Sequence, residues 1–434
     1  MVRGFQARTA QQLGDVDQID AGANQRVHVM LQTRVGLFVV LLLVGSAVAI
    51  LVRFVPVPAE TALALIGLSV GVTIGPGELP GIGGDLILFV LLPGLLFDAA
   101  FRLEWRLLRQ NLPAVVALAT LGVGLTTLVV AALGHWALGL TIPFAVLLGA
   151  IVAPTDPVSV TAILGKLGMP DRLLNLFEAE SLGNDGTGVV VFTIAVAAAS
   201  AGIFLPGPIA LDFLRLAGGG IVVGLIVGFG ISFLTSRVDD IRVELSLTAA
   251  AAYGGYLLGE LVQVSGILVV VAAAIVIGNV GRPHGMSDRT QQAVDILWDY
   301  VAFVLNTATF VLIGLVVPWQ QLLAEPAAMV IGAGVALLAR AASVYLLLQL
   351  LRPLGQRVPL RWQHLLVWGG LRGAVATALA LSLVGRGGDF DRVRALAYGV
   401  VLASILLQGI TIGPVARALL GDEKAQPESN HQRP

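Results

Sequence analysis

Apolar runs long enough to cross a bilayer follow one another almost without pause from about residue 35 to residue 420 of this 434-residue chain. A helix crosses the hydrocarbon core with about 20 apolar residues, and roughly 17 suffice. No water is present there to pair a free N–H or C=O, so such runs must become helices or close into a barrel, and runs of this length are helices. Read this way, spans lie near 35–52, 60–75, 85–101, 113–133, 143–165, 175–201, 213–235, 243–260, 264–281, 292–317, 327–351, 362–384 and 393–419. Gly75-Pro76-Gly77 and Pro80-Gly81 mark a turn between the second and third, and Asp98 interrupts the third, so a count of twelve stays open. The expected fold class is an all-α polytopic membrane protein with about 13 transmembrane helices. Only 12% of the residues are charged, against about 25% in soluble domains. The 52 glycines suit helices that pack closely within lipid.

Composition also removes function classes. A formal charge of −1 offers nucleic acid no basic surface. Without cysteine there are no disulfides, thiolate metal sites or cysteine nucleophiles. The five histidines, at 28, 135, 284, 364 and 431, are too scattered for a metal-ligand pair. Neither an enzyme nor a cofactor is expected. Residues 1–34 are mixed polar and unlike a cleaved signal peptide, so they are expected to remain as a tail. With short loops and a polar segment at 421–434, no soluble nucleotide-binding or regulatory domain is expected.

Lys and Arg should gather in cytoplasmic loops. Most occupy one alternate set: Arg53; Arg102, Arg106 and Arg109; Lys166 and Arg172; Arg237 and Arg242; Arg282 and Arg289; Arg352, Arg357 and Arg361; Arg417, Lys424 and Arg433. The opposite set holds only Arg3, Arg8, Arg26 and Arg34, then Arg386, Arg392 and Arg394. The N-terminal tail is therefore expected outside and the C-terminus in the cytoplasm. The expected location is a bacterial inner (plasma) membrane, and the excess of Arg over Lys fits a GC-rich bacterial genome. Arg215 can snorkel to the interface from the edge of its span, but Arg340 and Arg372 lie deeper and need partners.

Ionisable residues inside spans are costly and mark function by default. In the fifth span Pro154-Thr155-Asp156-Pro157 sets an acid between two prolines. Each proline lacks an N–H, so the carbonyls of Ala150 and Ala153 lose their helical donors and the helix should break. Such a break exposes backbone dipoles and a carboxylate at one depth, as ion-holding transporter helices do; a simpler alternative is a kink in which Asp156 only caps the second half-helix. The sixth span carries Glu180-Ser181-Leu182-Gly183-Asn184-Asp185-Gly186-Thr187. At about 100° per residue, Ser181 and Asp185 share one face and Glu180 and Asn184 another, with the two acids about 140° apart. One acid can then meet an aqueous cavity while the other pairs internally, with Arg340 or Arg372 as its counter-charge. In the twelfth span, Gly369-Gly370-Leu371-Arg372-Gly373-Ala374 permits a second break. Interrupted spans in corresponding, oppositely oriented positions are what an inverted repeat would produce.

These three motifs, in this order and spacing and joined by Leu95-Leu96-Phe97-Asp98 in the third span, resemble the monovalent cation/proton antiporter family in its NhaP-like branch. The resemblance covers about Val35 to Leu420. It implies an inverted-repeat antiporter fold with crossed discontinuous helices 5 and 12, acting as a homodimer in the cell membrane in pH homeostasis. It also implies a core, about 113–201 and 327–419, moving against dimerisation and gate helices, about 35–101 and 213–317. By the same resemblance Asp185 is the carboxylate that exchanges sodium and proton, with Asn184 beside it. Thr155, Asp156 and Ser181 complete the cation site, Glu180 pairs with Arg340, and Arg372 lies near the helix crossing. Asp98, where the family often has Glu, contacts the ion through water.

The residue types fit that chemistry on their own terms. Sodium is a hard cation that prefers oxygen ligands, and Asp156, Asp185, Ser181 and the Thr155 backbone supply them. Burial and a neighbouring like charge both favour the protonated form of a carboxylate, so a proton and Na⁺ (or Li⁺ or K⁺) compete for one site. With one exchanging carboxylate, the exchange is expected to be electroneutral, one proton per cation. The alternative reading is a cation-coupled transporter of a small organic solute, which would need a wider polar or aromatic surface; a membrane-embedded hydrolase using paired Asp lacks a second catalytic constellation. Asn306, Thr307 and Thr309 are expected to bond neighbouring helices, with lining the ion path as the alternative; Asp295 and Asp299 are expected at the cytoplasmic end of their span, and the tryptophans at span ends.

Overall fold

The computed structural model describes residues 36, 38–52, 54, 58–74, 86–202 and 206–420. The tail 1–34, Arg53, the glycine and proline turn at 75–81 and the segment 421–434 lie outside the described residues. Helices follow the apolar runs: α1 (Phe38–Leu51), α2 (Ala59–Ile74), α3 (Leu92–Arg102), α4 (Trp105–Leu138), the halves α5a (Ile142–Val152) and α5b (Val158–Lys166), and α6 (Asp171–Ala201). Then come α7 (Ala210–Thr235), α8 (Ile241–Ala249, carried on through Gly255–Leu261), α9 (Gly266–Gly285), α10 (Asp288–Leu315) and α11 (Pro326–Leu350). The halves α12a (Leu360–Trp368) and α12b (Ala374–Leu381) and finally α13 (Asp389–Leu420) complete the order, with a short helix Trp319–Ala324 before α11. Seven of the described helices are long and apolar enough to cross a membrane by length and composition alone.

Three helix starts depart from the sequence reading in the same direction. Helices α4, α6 and α10 begin several residues before the apolar runs do, at Trp105, Asp171 and Asp288. Their first turns carry Arg106, Arg109, Arg172 or Arg289, polar faces that no hydropathy window counts as span. Ends are set by local chemistry: the Asp240 side chain accepts from the amides of Arg242 and Val243 at the start of α8, and Ser287 accepts from Thr290 N at the start of α10. Gly139 and Gly202 close α4 and α6 in left-handed conformations.

Packing divides the described helices into two groups. In the first, α2 lies against α10, α3 against α9 and α10, and α7 and α8 against α9. The approach of α2 to α10 is backbone to backbone: a Cβ on Gly67 would strike the Val311 carbonyl, and one on Gly314 the Ala64 carbonyl. In the second, α4 packs on α5a and α11, α6 on α5a, and α13 on α11 and α5a. The groups meet where α6 touches α3 and α9 and where α12b touches α10, and the polar residues lie along that seam.

Candidate ion-binding site

Both broken helices part where the sequence demands it. Between α5a and α5b the chain runs Ala153-Pro154-Thr155-Asp156-Pro157, and between α12a and α12b it runs Gly369-Gly370-Leu371-Arg372-Gly373. The two breaks cross and pair as extended chain: Asp156 N donates to Leu371 O at 2.7 Å in an antiparallel bridge. The crossing brings the first turns of α5b and α12b to one carboxylate. Asp156 Oδ1 accepts from Val158 N at 3.1 Å, and the carboxylate also accepts from Ala374 N. Two helix N-termini, each carrying partial positive charge, are thereby aimed at Asp156. It both caps α5b and faces the seam, so the two alternatives left open by the sequence coexist.

Arg372 closes the back of the first break. Its Nη1 donates to the carbonyls of Ala153 at 2.8 Å and Pro154 at 3.1 Å, and the former is the acceptor that Pro157 deprives of a helical donor. Its own backbone N–H goes to Ser404 Oγ at 2.8 Å. Gln408 Nε2, four residues further along α13, holds Trp368 O at 3.1 Å. Both come from one wide helical turn, Ser404–Gln408, of the kind found at functional sites.

Helix α6 runs unbroken past Gly186 and presents the two faces its spacing implies. On one, Arg340 Nη1 and Nη2 donate to Glu180 Oε1 and Oε2 at 2.7 and 2.9 Å, while Arg340 Nε donates to Leu366 O at 3.3 Å. Asn184 Nδ2 donates to Glu180 Oε1 and to Thr155 Oγ1, both at 2.8 Å, and its Oδ1 accepts from Thr155 N at 3.0 Å. Every member of this chain from Arg340 to Thr155 is buried. Asn184, which the resemblance sets beside Asp185 at the cation/proton site, thus holds the Thr155 backbone in position and does not line the cavity described next.

On the other face Ser181 and Asp185 line a cavity of about 250 Å³, together with Thr155, Asp156 and Asp98. Ser181 Oγ donates to Thr155 O. Asp185 is 8% exposed, and among the described residues no hydrogen bond or ion pair reaches its carboxylate. The wall is completed by Glu178, by Asn306 of α10 and by Gly373. At the mouth Arg102 bridges Asp98 and Asp299, 2.8 Å from each. Of the two alternatives for Asn306, it takes the cavity wall; Thr307 packs beside Gly45, and the buried Thr309 hydroxyl has no partner among the described residues. Asp295 pairs with Arg282 at 2.6 Å, and Arg215 reaches Gln263 at 3.2 Å on an exposed surface. Sequence reasoning passed over Glu178 and Glu60, the latter accepting from Ser159 Oγ at 2.8 Å. For Glu178 the one usable signal was its i, i+3, i+7 relation to Ser181 and Asp185.

Gly373 is the tightest point of the site. A Cβ there would collide with the Asp156 carboxylate, and Asp156 is pinned by three backbone partners. Gly373→Ala is therefore expected to insert normally but to displace Asp156, and a misplacement of about 1 Å can cost on the order of 100-fold in activity. Ion-flux assays on vesicles matched for protein content check this; unchanged flux would mean that Asp156 need not hold this position.

Comparison with known proteins gives a consistent match. The family described as sodium/hydrogen exchanger, transmembrane, matches residues 34–418. The chain is 38% identical over 400 residues to the Na⁺/H⁺ antiporter ApNhaP of Aphanothece halophytica, covering 89% of this chain and 75% of that one. It is also 38% identical over 347 residues to the Na⁺/H⁺ antiporter NhaP of Pseudomonas aeruginosa, 77% of this chain and 81% of that one. The solved structure of the sodium proton antiporter MjNhaP1 from Methanocaldococcus jannaschii superposes with a TM-score of 0.74 at 24% identity, over 90% of this chain and 100% of that one.

Proposed function

The chain belongs to the sodium/hydrogen exchanger family, and from that premise we propose that it exchanges sodium for protons across a bacterial inner membrane, one for one, with Asp185 as the carboxylate that both ions use. Family membership makes it a transporter, and sodium/proton exchange takes precedence over transport of an organic solute. The observation that carries the site assignment is the unequal treatment of the buried acids. Glu180 is neutralised by Arg340 and Asp156 is tied to backbone amides. Asp185 faces the cavity with no donor among the described residues.

In this scheme Na⁺ enters as cargo and is held by oxygens of Asp185, Asp156, Ser181 and Thr155, the ligand type a hard cation prefers. Asp98, held by Arg102 at the cavity wall, contacts the ion through water. Binding requires Asp185 to be ionised, so a proton and Na⁺ exclude one another. A site holding either ion is close to neutral, and one holding neither leaves an uncompensated charge in low dielectric, which opposes movement across the membrane. The helices about 113–201 and 327–419 move as a body against about 35–101 and 213–317, and the latter also carry a homodimer contact. With the Arg-rich loops taken as cytoplasmic and the N-terminus as outside, the cavity mouth at Arg102 and Asp299 opens to the cytoplasm in this state. Lithium and potassium are the other candidate cations.

In everted membrane vesicles holding an imposed pH gradient, added sodium dissipates the gradient. Its apparent KM rises by up to about tenfold per pH unit as the medium is acidified through the range where Asp185 binds its proton. With no net charge moved, the membrane potential has no term in the driving force, so clamping the voltage leaves the rate unchanged. A sodium-dependent current under symmetric ions would contradict one-for-one exchange.

A further inference from the structure

A second carboxylate stands behind Asp156, on the side away from the cavity mouth, and the exchange scheme gives it no task. Glu60 lies in the first turn of α2 and accepts from Ser159 Oγ at 2.8 Å; Ser159 is buried in the first turn of α5b. Position along α10 gives the depth. Asp299 marks the mouth, Ala302 and Asn306 line the cavity, and Phe310 lines a separate gap of about 10 Å³ shared with Glu60, Asp156, Ser159 and Arg372. At about 1.5 Å rise per residue, Phe310 is about 16 Å beyond Asp299. From Glu60, α2 continues the same way, with Gly67 and Gly71 against Val311 and Leu315. Asp156 and Gly373 line both spaces and so form the partition between the open cavity and the closed gap.

We propose that Glu60 governs exchange from the closed face: in this state its carboxylate latches α5b through Ser159, and once that bond opens it faces the approach to Asp156 and draws the cation in from that side. The proposal rests on the alternating-access reading above. Helix α2 packs on α10, whereas Ser159 belongs to a broken helix packed with α6 and α13, so the Glu60 bond crosses the seam between the two groups. A neighbouring bond, Thr61 Oγ1 to Ile405 O at 3.4 Å, crosses the same seam. Opening the closed face requires both to break. No ion pair of Glu60 occurs among the described residues, and Arg372, the cation lining the gap, directs Nη1 to the carbonyls of Ala153 and Pro154. Released from Ser159, Glu60 adds negative charge beside Asp156 in a narrow space, where field focusing raises the local cation concentration.

Charge and latch separate by mutation. Glu60→Gln keeps an acceptor for Ser159 and removes the charge; Ser159→Ala keeps the charge and removes the latch. The full-length chain is compared in everted and right-side-out membrane vesicles, which present opposite faces to added sodium, with insertion quantified for each variant. For Glu60→Gln the sodium KM is expected to rise about tenfold at the closed face, a size typical of lost electrostatic focusing, and to stay at the wild-type value at the cavity face. Ser159→Ala is expected to change the maximal rate at both faces and to leave the closed-face KM alone. Wild-type KM values at both faces for Glu60→Gln, or equal rises at both, would overturn the proposal while sodium exchange by the wild type still stood. A wild type that moves no sodium at all would overturn the exchange reading and this proposal together.

Discussion

Asp185→Asn abolishes sodium-driven proton movement and leaves an inserted, folded protein. Asn nearly matches Asp in volume, so the packing around α6 is kept, but it neither releases a proton nor supplies an anionic oxygen to sodium. Since Asp185 receives no donor among the described residues, its replacement breaks no hydrogen bond there. Removing a buried charge without a partner also relieves a desolvation cost, so thermal stability in detergent is expected to equal or exceed that of the wild type. Transport should fall by at least about 100-fold, given that the exchanging group itself is lost. Asp156→Asn is expected to differ in kind. That residue caps α5b and α12b, so its loss weakens cation binding and loosens the crossing together. A fully active Asp185→Asn protein would remove this residue from the exchange.

The second large effect concerns folding. Arg340→Ala strands the Glu180 carboxylate, 1% exposed, inside the helix bundle. Breaking a buried pair by removing one partner costs about 3–5 kcal/mol, because the remaining charge is left uncompensated. Glu180→Ala strands the guanidinium in the same way and also frees Asn184 Nδ2, loosening Thr155. The double variant Glu180→Ala, Arg340→Ala leaves neither charge and should recover stability relative to either single change, a coupling that a double-mutant cycle reads directly. Urea or thermal unfolding of the three variants in one detergent makes the comparison. If the double variant is no more stable than the singles, the pair does not balance charge in the way its geometry implies.

How legible these features were depended on whether the physics is local. Pro154 and Pro157 forbid a continuous helix whatever surrounds them, so the α5 break and the acid within it were readable, as was the carbonyl of Ala153 left in need of a donor. The two faces of α6 follow from 100° per residue. The donor for Ala153 and the partner of Glu180 could not be separated in the same way, because Arg340 and Arg372 are equally deep in sequence terms and only the tertiary arrangement sends one to a carboxylate and the other to backbone carbonyls. Asn184 follows the same helical arithmetic: adjacency to Asp185 in sequence is a turn of about 100° in space, which sets it on the Glu180 face, but its hold on Thr155 depends on where the α5 break lies and is not encoded in α6. Asn306 and Glu178 join the cavity through the angle at which α10 and α6 meet, and no pattern within either helix encodes that angle. Glu60 reads as an ordinary first-turn acid at a helix start; its importance arises only because α2 begins level with the crossing of two other helices.

Competition at one carboxylate has a consequence that needs no membrane. Purified protein held in weakly buffered detergent solution, near the pH at which Asp185 is half protonated, is titrated with sodium chloride while released protons are counted, with choline chloride as control. About half a proton is expected to be released per protomer as sodium saturates, since half the protomers hold one at that pH and binding requires a deprotonated ligand, and no sodium-specific release is expected from Asp185→Asn. Sodium binding without proton release, or equal release by the variant, would contradict the claim that the two ions share Asp185.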